Sequence, residues 1–248
     1  TEAIDGALKL ARRFTGRSEI LAADKAYHGN TMGALSIMGF EERKQPFRPL
    51  IPNVRFLKFN DEKDLSKITS KTAGVVLETI QGGAGFIQPK NNYLNKVQKR
   101  CNDVGALLIL DEIQPGFGRT GTLFGFENYN CTPDVIVVGK GLGGGMPIGA
   151  FSASQSMMDC LSDQPKLGHI TTFGGHPVIA AAALATLKEI LNSKLMQEAL
   201  KKESYIRRKL KHPLISEIRG KGLMLCAITN SAQTTNRVVT TAIKKGLI

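Results

Sequence analysis

An α/β fold built on a mostly parallel sheet follows from three features of this 248-residue chain. Short apolar runs alternate with amphipathic helical patterns over about the first 150 residues. Several of those runs are apolar on both faces, as strands must be when helices cover both sides of the sheet. The runs then stop abruptly, on a charged residue and a glycine-rich stretch, which is the punctuation of a loop.

In chain order, "TEAIDGALKLARR" has the spacing of an amphipathic helix over 2–14, and "EILAA" (19–23) follows as a first strand. A helix over 30–39 precedes the strands "VRFLKF" (54–59) and "AGVVLE" (73–78). A helix over 91–104 leads into "ALLILDE" (106–112), and "DVIVVGK" (134–140) and "IGAFSAS" (148–154) complete the strand set. Helical patterns then occupy 176–191 and 195–211. The character changes near residue 192, to a charged helical stretch and one further strand in "EIRGKGLMLCAITN", before a last helix over 235–245. This predicts a large domain over 1–192 and the start of a small C-terminal α+β domain over 193–248, joined along a continuing helix. The absence of an initiating Met and the abrupt ending at "KKGLI" read as the inside of a longer chain, with the small domain truncated.

Composition removes several classes of function. Hydrophobic residues make up 42% and charged residues 22%, ordinary values for a globular protein. No apolar run approaches the ~18 residues of a membrane-spanning helix, and the first residues lack the apolar centre of a signal peptide. The net charge of +12 is dispersed over "RKQPFR", "KVQKR" and "KKESYIRRKLK" without interleaved aromatics. That pattern argues for solvated helix faces and attraction for small anions rather than a nucleic-acid surface. Cys101, Cys131, Cys160 and Cys226 are far apart and no His stands at zinc-ligand spacing, so the expectation is reduced thiols, a cytoplasmic setting and no metal.

The chemistry lies at the strand ends. In open α/β sheets, ligands bind outside the carboxyl ends of the strands. Strand 73–78 ends at Glu78, strand 106–112 presents Asp111, and strand 134–140 ends at Lys140 followed by "GLGGGMP". An acid at the mouth of an apolar strand needs a cation or a proton donor to face. A lysine there is expected to be partly desolvated and hence nucleophilic toward an aldehyde. Pyridoxal phosphate (PLP) offers both an aldehyde and a pyridine nitrogen, and its chemistry uses a Schiff-base lysine with an acidic partner for the ring nitrogen. Its phosphate would suit a helix N-terminus, for which Thr1 and the Thr171–Thr172 pair are candidates.

Taken together, "TEAIDGALKLAR", "YHGNTMGALS", "LETIQGGAGF", "LILDEIQPGFGRTG", "PDVIVVGKGLGGGMPIGA", "TTFGGHP" and "IRGKGLM" resemble the class III aminotransferases, in family order across nearly the whole chain. These are fold-type I PLP enzymes that include acetylornithine, ornithine and 4-aminobutyrate aminotransferases. The resemblance implies that Lys140 binds PLP as a Schiff base and shuttles a proton. It implies that Asp111 pairs with the ring nitrogen, Gln114 bonds the phenolic oxygen, Tyr27 stacks on the ring, and Thr1 caps the first helix and binds phosphate. His28 is expected to support the site, and Glu78 to stand beside the cofactor or in a structural ion pair. Thr172 would reach the phosphate in the neighbouring subunit, so a homodimer is implied. The implied reaction moves an amino group from an acetylornithine-, ornithine- or ω-amino-acid-type donor to a keto acid, typically 2-oxoglutarate.

Three departures bear on substrate. Asn30 stands where acetylornithine enzymes of the family usually have Arg, Gly83 where ornithine- and 4-aminobutyrate-type enzymes usually have Glu, and Thr79 where Pro is usual. A diamine or other ω-transaminase using pyruvate, or an aminomutase or decarboxylase relative, is therefore the second reading, with Gln114 favouring the aminotransferases over the aminomutases. A non-catalytic α/β domain binding a phosphate ligand is the third, and Lys140 discriminates against it.

Overall fold

The computed structural model describes residues 1–247. The strands are β1 (Glu19–Ala23), β2 (Val54–Leu57), β3 (Thr72–Glu78), β4 (Leu107–Asp111), β5 (Val135–Gly139), β6 (Gly149–Ser152), β7 (Ile215–Lys221) and β8 (Met224–Thr229). The helices are α1 (Glu2–Thr15), α2 (Met32–Ser36), α3 (Glu41–Lys44), α4 (Tyr93–Val104), α5 (Gln155–Asp159), α6 (Pro177–Asn192), α7 (Leu195–Lys209) and α8 (Ala232–Lys244). Six strands form one sheet in the order β2-β1-β3-β4-β5-β6, parallel except for β6, which runs antiparallel to β5. This is the mostly parallel, helix-flanked sheet that the alternation predicts.

The sheet is covered on both faces, and the period of two along each strand sorts the residues. Ile20, Ala22, Val76, Ile109, Val135 and Val137 face α1, packed with its Ile4, Leu8 and Leu10. Leu21, Ala23, Val75, Leu77, Leu108 and Leu110 face α4, packed with Leu94, Val97 and Cys101. Burying each such Leu or Ile contributes about 1.5–3 kcal/mol. Helix α1 forms because its apolar residues recur at helical spacing, with Ile4, Ala7, Leu8 and Ala11 all buried. It stops at Gly16, whose left-handed backbone (φ 67°) lets its N–H bond the Arg12 carbonyl at 3.0 Å.

Two sequence expectations need correction. The helical pattern does not continue through residue 192: α6 ends at Asn192, Ser193 is extended, and a new helix starts at Leu195. The single strand expected in "EIRGKGLMLCAITN" is a hairpin of β7 and β8, paired antiparallel from Ile215↔Thr229 to Lys221↔Met224. Gly222, at φ 61°, makes the turn, and one long apolar alternation conceals it.

The hairpin turn is seated on the larger body. Leu223 donates its N–H to the Arg119 carbonyl at 2.9 Å, and Gln88 Nε2 donates to the Gly220 carbonyl at 3.0 Å. A Cβ on Gly222 would run into the Arg119 carbonyl and the Thr120 Cα, so this approach requires glycine.

Candidate active site

The parallel register brings the three strand ends to one rim. Glu78 on β3 lies directly opposite Asp111 on β4, and Asp111 is opposite Val137 on β5, three residues before Lys140. Glu78 and Asp111 share parity with Val76 and Ile109, so both are on the α1 face. Two carboxylates about 5 Å apart across a strand pair repel, and something must hold the charge between them.

His28 does so. Its Nδ1–H donates to Asp111 Oδ2 at 2.8 Å, and both residues are buried. Burial alone would lower the His28 pKa; the hydrogen bond and charge of Asp111, with the charge of Glu78, outweigh it and raise it. His28 Nε2 is buried without a partner, and the second oxygen of Asp111 accepts the Ile113 N–H at 3.0 Å. Among the described residues, Glu78 is in no ion pair with a Lys or Arg. Its carboxylate accepts the N–H of Tyr27 at 3.2 Å and of Gly82 at 3.0 Å. Burial, followed by the Asp111 charge, pushes Glu78 up to about 7.

Lys140 differs from its sequence expectation. Strict alternation would turn it to the α4 face, away from Asp111. The extended backbone ends at Gly139, however, and Lys140 takes a left-handed conformation, φ 40°. For a residue with a Cβ this is strained, of order 1–3 kcal/mol, and such strain concentrates at functional sites. The turn lifts the side chain off the strand edge, so Lys140 is exposed rather than desolvated. It lines a cavity of about 310 Å³ with Gln114, Ile113, Phe86, Phe117 and Arg119, among others. Gln114 links this cavity to the acid pair: a Cβ on Gly82 would lie 2.6 Å from Gln114 Oε1 and 3.2 Å from Glu78 Oε1.

Thr1 does not cap α1 with its side chain. Its hydroxyl instead accepts the N–H groups of Asn30 and Thr31, both at 3.0 Å, and meets Thr31 Oγ1 at 2.8 Å. It therefore ties the helix start to the loop carrying Tyr27 and His28. Gly29, at φ 129°, allows that approach, because a Cβ there would strike Thr1 Oγ1. Tyr27 is partly exposed and its hydroxyl accepts from Asn30 Nδ2 at 3.1 Å. Thr172 stands apart in an exposed segment and has no hydrogen bond among the described residues.

Sequence reasoning missed Glu112. It is fully buried on the opposite face from Asp111, accepts the Gly125 N–H at 2.6 Å and the Phe126 N–H at 2.9 Å, and also accepts from the Thr79 hydroxyl. Burial pushes it up to about 7. It closes the 113–126 loop on itself, and that loop carries Gln114, Phe117 and Arg119. The paired acids of "DE" alternate across the sheet, so Asp111 meets His28 on one face and Glu112 holds the loop on the other. Cys101 and Cys131 are buried, with thiols pushed upward by burial, Cys131 to about 12, which makes them poor nucleophiles. Among the described residues there is no metal-ligating cluster, and no helix is long and apolar enough to cross a membrane.

The fold is that of the transaminases. Ornithine aminotransferase from Toxoplasma gondii ME49 superposes with a TM-score of 0.91 at 30% identity, covering 100% of this chain and 62% of that one. A thermostable (S)-enantioselective omega-transaminase from Thermomicrobium roseum gives 0.86 at 31% identity, covering 94% and 60%. Residues 1–248 match the class-III aminotransferases throughout, and the chain belongs to that family. Acetylornithine aminotransferase of Clostridium acetobutylicum is 40% identical over 238 residues, 91% of this chain and 61% of that protein. Putrescine aminotransferase of Pectobacterium atrosepticum is 41% identical over 241 residues, 90% and 51% respectively. The chain thus spans between half and two thirds of the length of these relatives.

Class-III aminotransferases are PLP-dependent, and the residues present fit that cofactor. A buried carboxylate fixed by an imidazole at the end of β4, and a lysine and an amide lining the cavity at the neighbouring strand end, supply an acid, an amine and a donor on one rim of the sheet.

Proposed function

We propose that this chain is the larger part of a PLP-dependent aminotransferase, moving an amino group from an acetylornithine-, ornithine- or ω-amino-acid-type donor to a keto acid such as 2-oxoglutarate. The observation that carries this reading is the placement of Asp111 and Lys140 at the ends of adjacent parallel strands, Asp111 held by His28 and Lys140 over a cavity. PLP would supply an aldehyde and an electron-withdrawing ring. Lys140 would bind it covalently through Nζ and later carry the proton taken from the substrate carbon. Asp111, held in place by its His28 and Ile113 donors, would pair with the ring nitrogen. Gln114 would donate to the phenolic oxygen, Glu78 would stand beside the ring, and Tyr27 would cover one face. Thr1 would serve phosphate through its backbone, since its hydroxyl is engaged.

The active unit would be a homodimer in which Thr172 reaches the partner's cofactor phosphate. An exposed apolar run supports it: Leu167, Ile170, Phe173, Val178 and Leu184 are each more than half uncovered. A cytoplasmic setting suits the free thiols. The break at Ser193 supports a division into 1–192 and 193–248. A diamine or ω-amine donor with pyruvate is the second reading. It is favoured by Asn30, whose amide is turned to the Tyr27 hydroxyl.

Reduction of the PLP-treated full-length protein with borohydride tests the proposal. Cofactor should be trapped on a peptide containing Lys140, and the visible absorbance band should vanish in Lys140→Ala. No band in the unaltered protein would overturn it in favour of a binding domain. A screen of amino donors against 2-oxoglutarate and pyruvate then decides the substrate pair.

A further inference from the structure

The cavity beside Lys140 carries a second cation that the proposed chemistry does not use. Among the described residues, Arg119 and Lys140 are the charged ones that line it, and no carboxylate does. Its field therefore favours an anion. The remaining wall is largely apolar, made by Phe86, Ile113, Phe117, Leu223 and Met224. A guanidinium and an amine lining the same largely apolar cavity suit a short carbon chain with a carboxylate at one end and the reacting group at the other.

Arg119 is unusual in how its backbone and side chain divide. The backbone is fixed from several sides. Its N–H reaches the Gly116 carbonyl at 3.4 Å and its carbonyl accepts the Leu223 N–H at 2.9 Å. Gly118 and Gly121 flank it at φ 84° and 92°, Thr120 beside it is fully buried, and Glu112 closes the whole loop. The guanidinium, by contrast, is exposed and has no hydrogen bond or ion pair among the described residues. An arginine that packs a surface or anchors a loop is normally engaged, as Arg17 is with the carbonyls of Thr72, Val104 and Gly105. Arg119 is a free planar donor fork on a rigid stalk, the form suited to bidentate recognition of a carboxylate.

We infer that Arg119 is a specificity-determining residue that binds a substrate carboxylate on the hairpin side of the Lys140 cavity. The inference rests on the transaminase reading for the identity of the anion. It also gives the β7–β8 turn a role, because the turn fixes the Arg119 backbone through the Leu223 N–H and contributes Leu223 and Met224 to the same cavity.

The test uses full-length protein loaded with PLP and glutarate, a dicarboxylate with neither amine nor keto group. Calorimetry should show Arg119→Gln binding glutarate roughly 10- to 100-fold more weakly, the loss of a charge-assisted pair, with Arg119→Lys in between. The preference for a carboxylate-bearing donor over its decarboxylated counterpart should shrink by a similar factor. The PLP dissociation constant, followed by absorbance, should stay the same. Equal glutarate affinity in Arg119→Gln would overturn the inference. Weakened PLP binding would also overturn it, assigning Arg119 to the cofactor phosphate. Absence of a PLP band in the unaltered protein would defeat the transaminase reading alone, since glutarate binding still decides whether Arg119 holds a carboxylate.

Discussion

His28 and Asp111, 83 positions apart in the chain, meet at 2.8 Å with both side chains buried at the end of β4. The contact stabilises a carboxylate that would otherwise be buried next to Glu78. Truncating His28 removes its strongest donor. His28→Ala should lower the unfolding free energy by about 2–4 kcal/mol in urea titrations. His28→Asn, whose amide can imitate Nδ1–H, should recover part of that loss. An unchanged midpoint in the alanine variant would mean that the pair contributes nothing.

Stability should fall between pH 5 and 8. Glu78 and Glu112 both rise from 4.5 to about 7 on folding. The folded state therefore holds protons that the unfolded chain has released, and stability present at low pH is lost as pH climbs through 7. Each group corresponds to about 3 kcal/mol when fully ionised. Glu112→Gln carries no proton to lose and should flatten this slope by one group's share. Chemical denaturation at several pH values measures it, and an unaltered slope would show that Glu112 is ionised throughout.

Gly222→Ala should loosen the hairpin. Its Cβ would collide with the Arg119 carbonyl, whereas Gly145, also at positive φ (106°), has nothing within 4 Å of its Cβ. Gly145→Ala should cost only the backbone strain, about 1 kcal/mol, and Gly222→Ala distinctly more. Limited proteolysis should cut the 209–224 region faster in Gly222→Ala alone.

Placing charge in the exposed apolar run should break the proposed dimer. Phe173, at 76% exposed, and Leu184, at 53%, are the best positions. Sedimentation of full-length Phe173→Asp and Leu184→Asp should show a shift toward monomer. A dimer that survives both would place the interface elsewhere.

The placement of the candidate residues at the strand ends was legible because strand ends are local signals. β1 falls on the residues its pattern predicted, and β3, β4 and β5 fall within one or two, because doubly apolar runs bounded by loops leave little choice. Parallel pairing of neighbouring strands then puts Glu78, Asp111 and Lys140 on one rim. Glu112 escaped notice because its partners, Thr79, Gly125 and Phe126, are 13 to 33 positions away and carry no motif. Arg119 could have been suspected from its place in the same glycine-rich loop as Gln114.

The sequence alone determined the fold class, the order of the sheet-forming runs and the acid and lysine that close adjacent strands, since each depends on periodicity and short-range turn chemistry. Tertiary structure alone decided which way Lys140 turns, that His28 and not a distant cation holds Asp111, that the Thr1 hydroxyl is taken by Asn30 and Thr31, and that the last strand doubles back onto Arg119. These depend on contacts between residues far apart in the chain, where geometry is set by packing and by which buried polar groups find partners, and no local pattern encodes either.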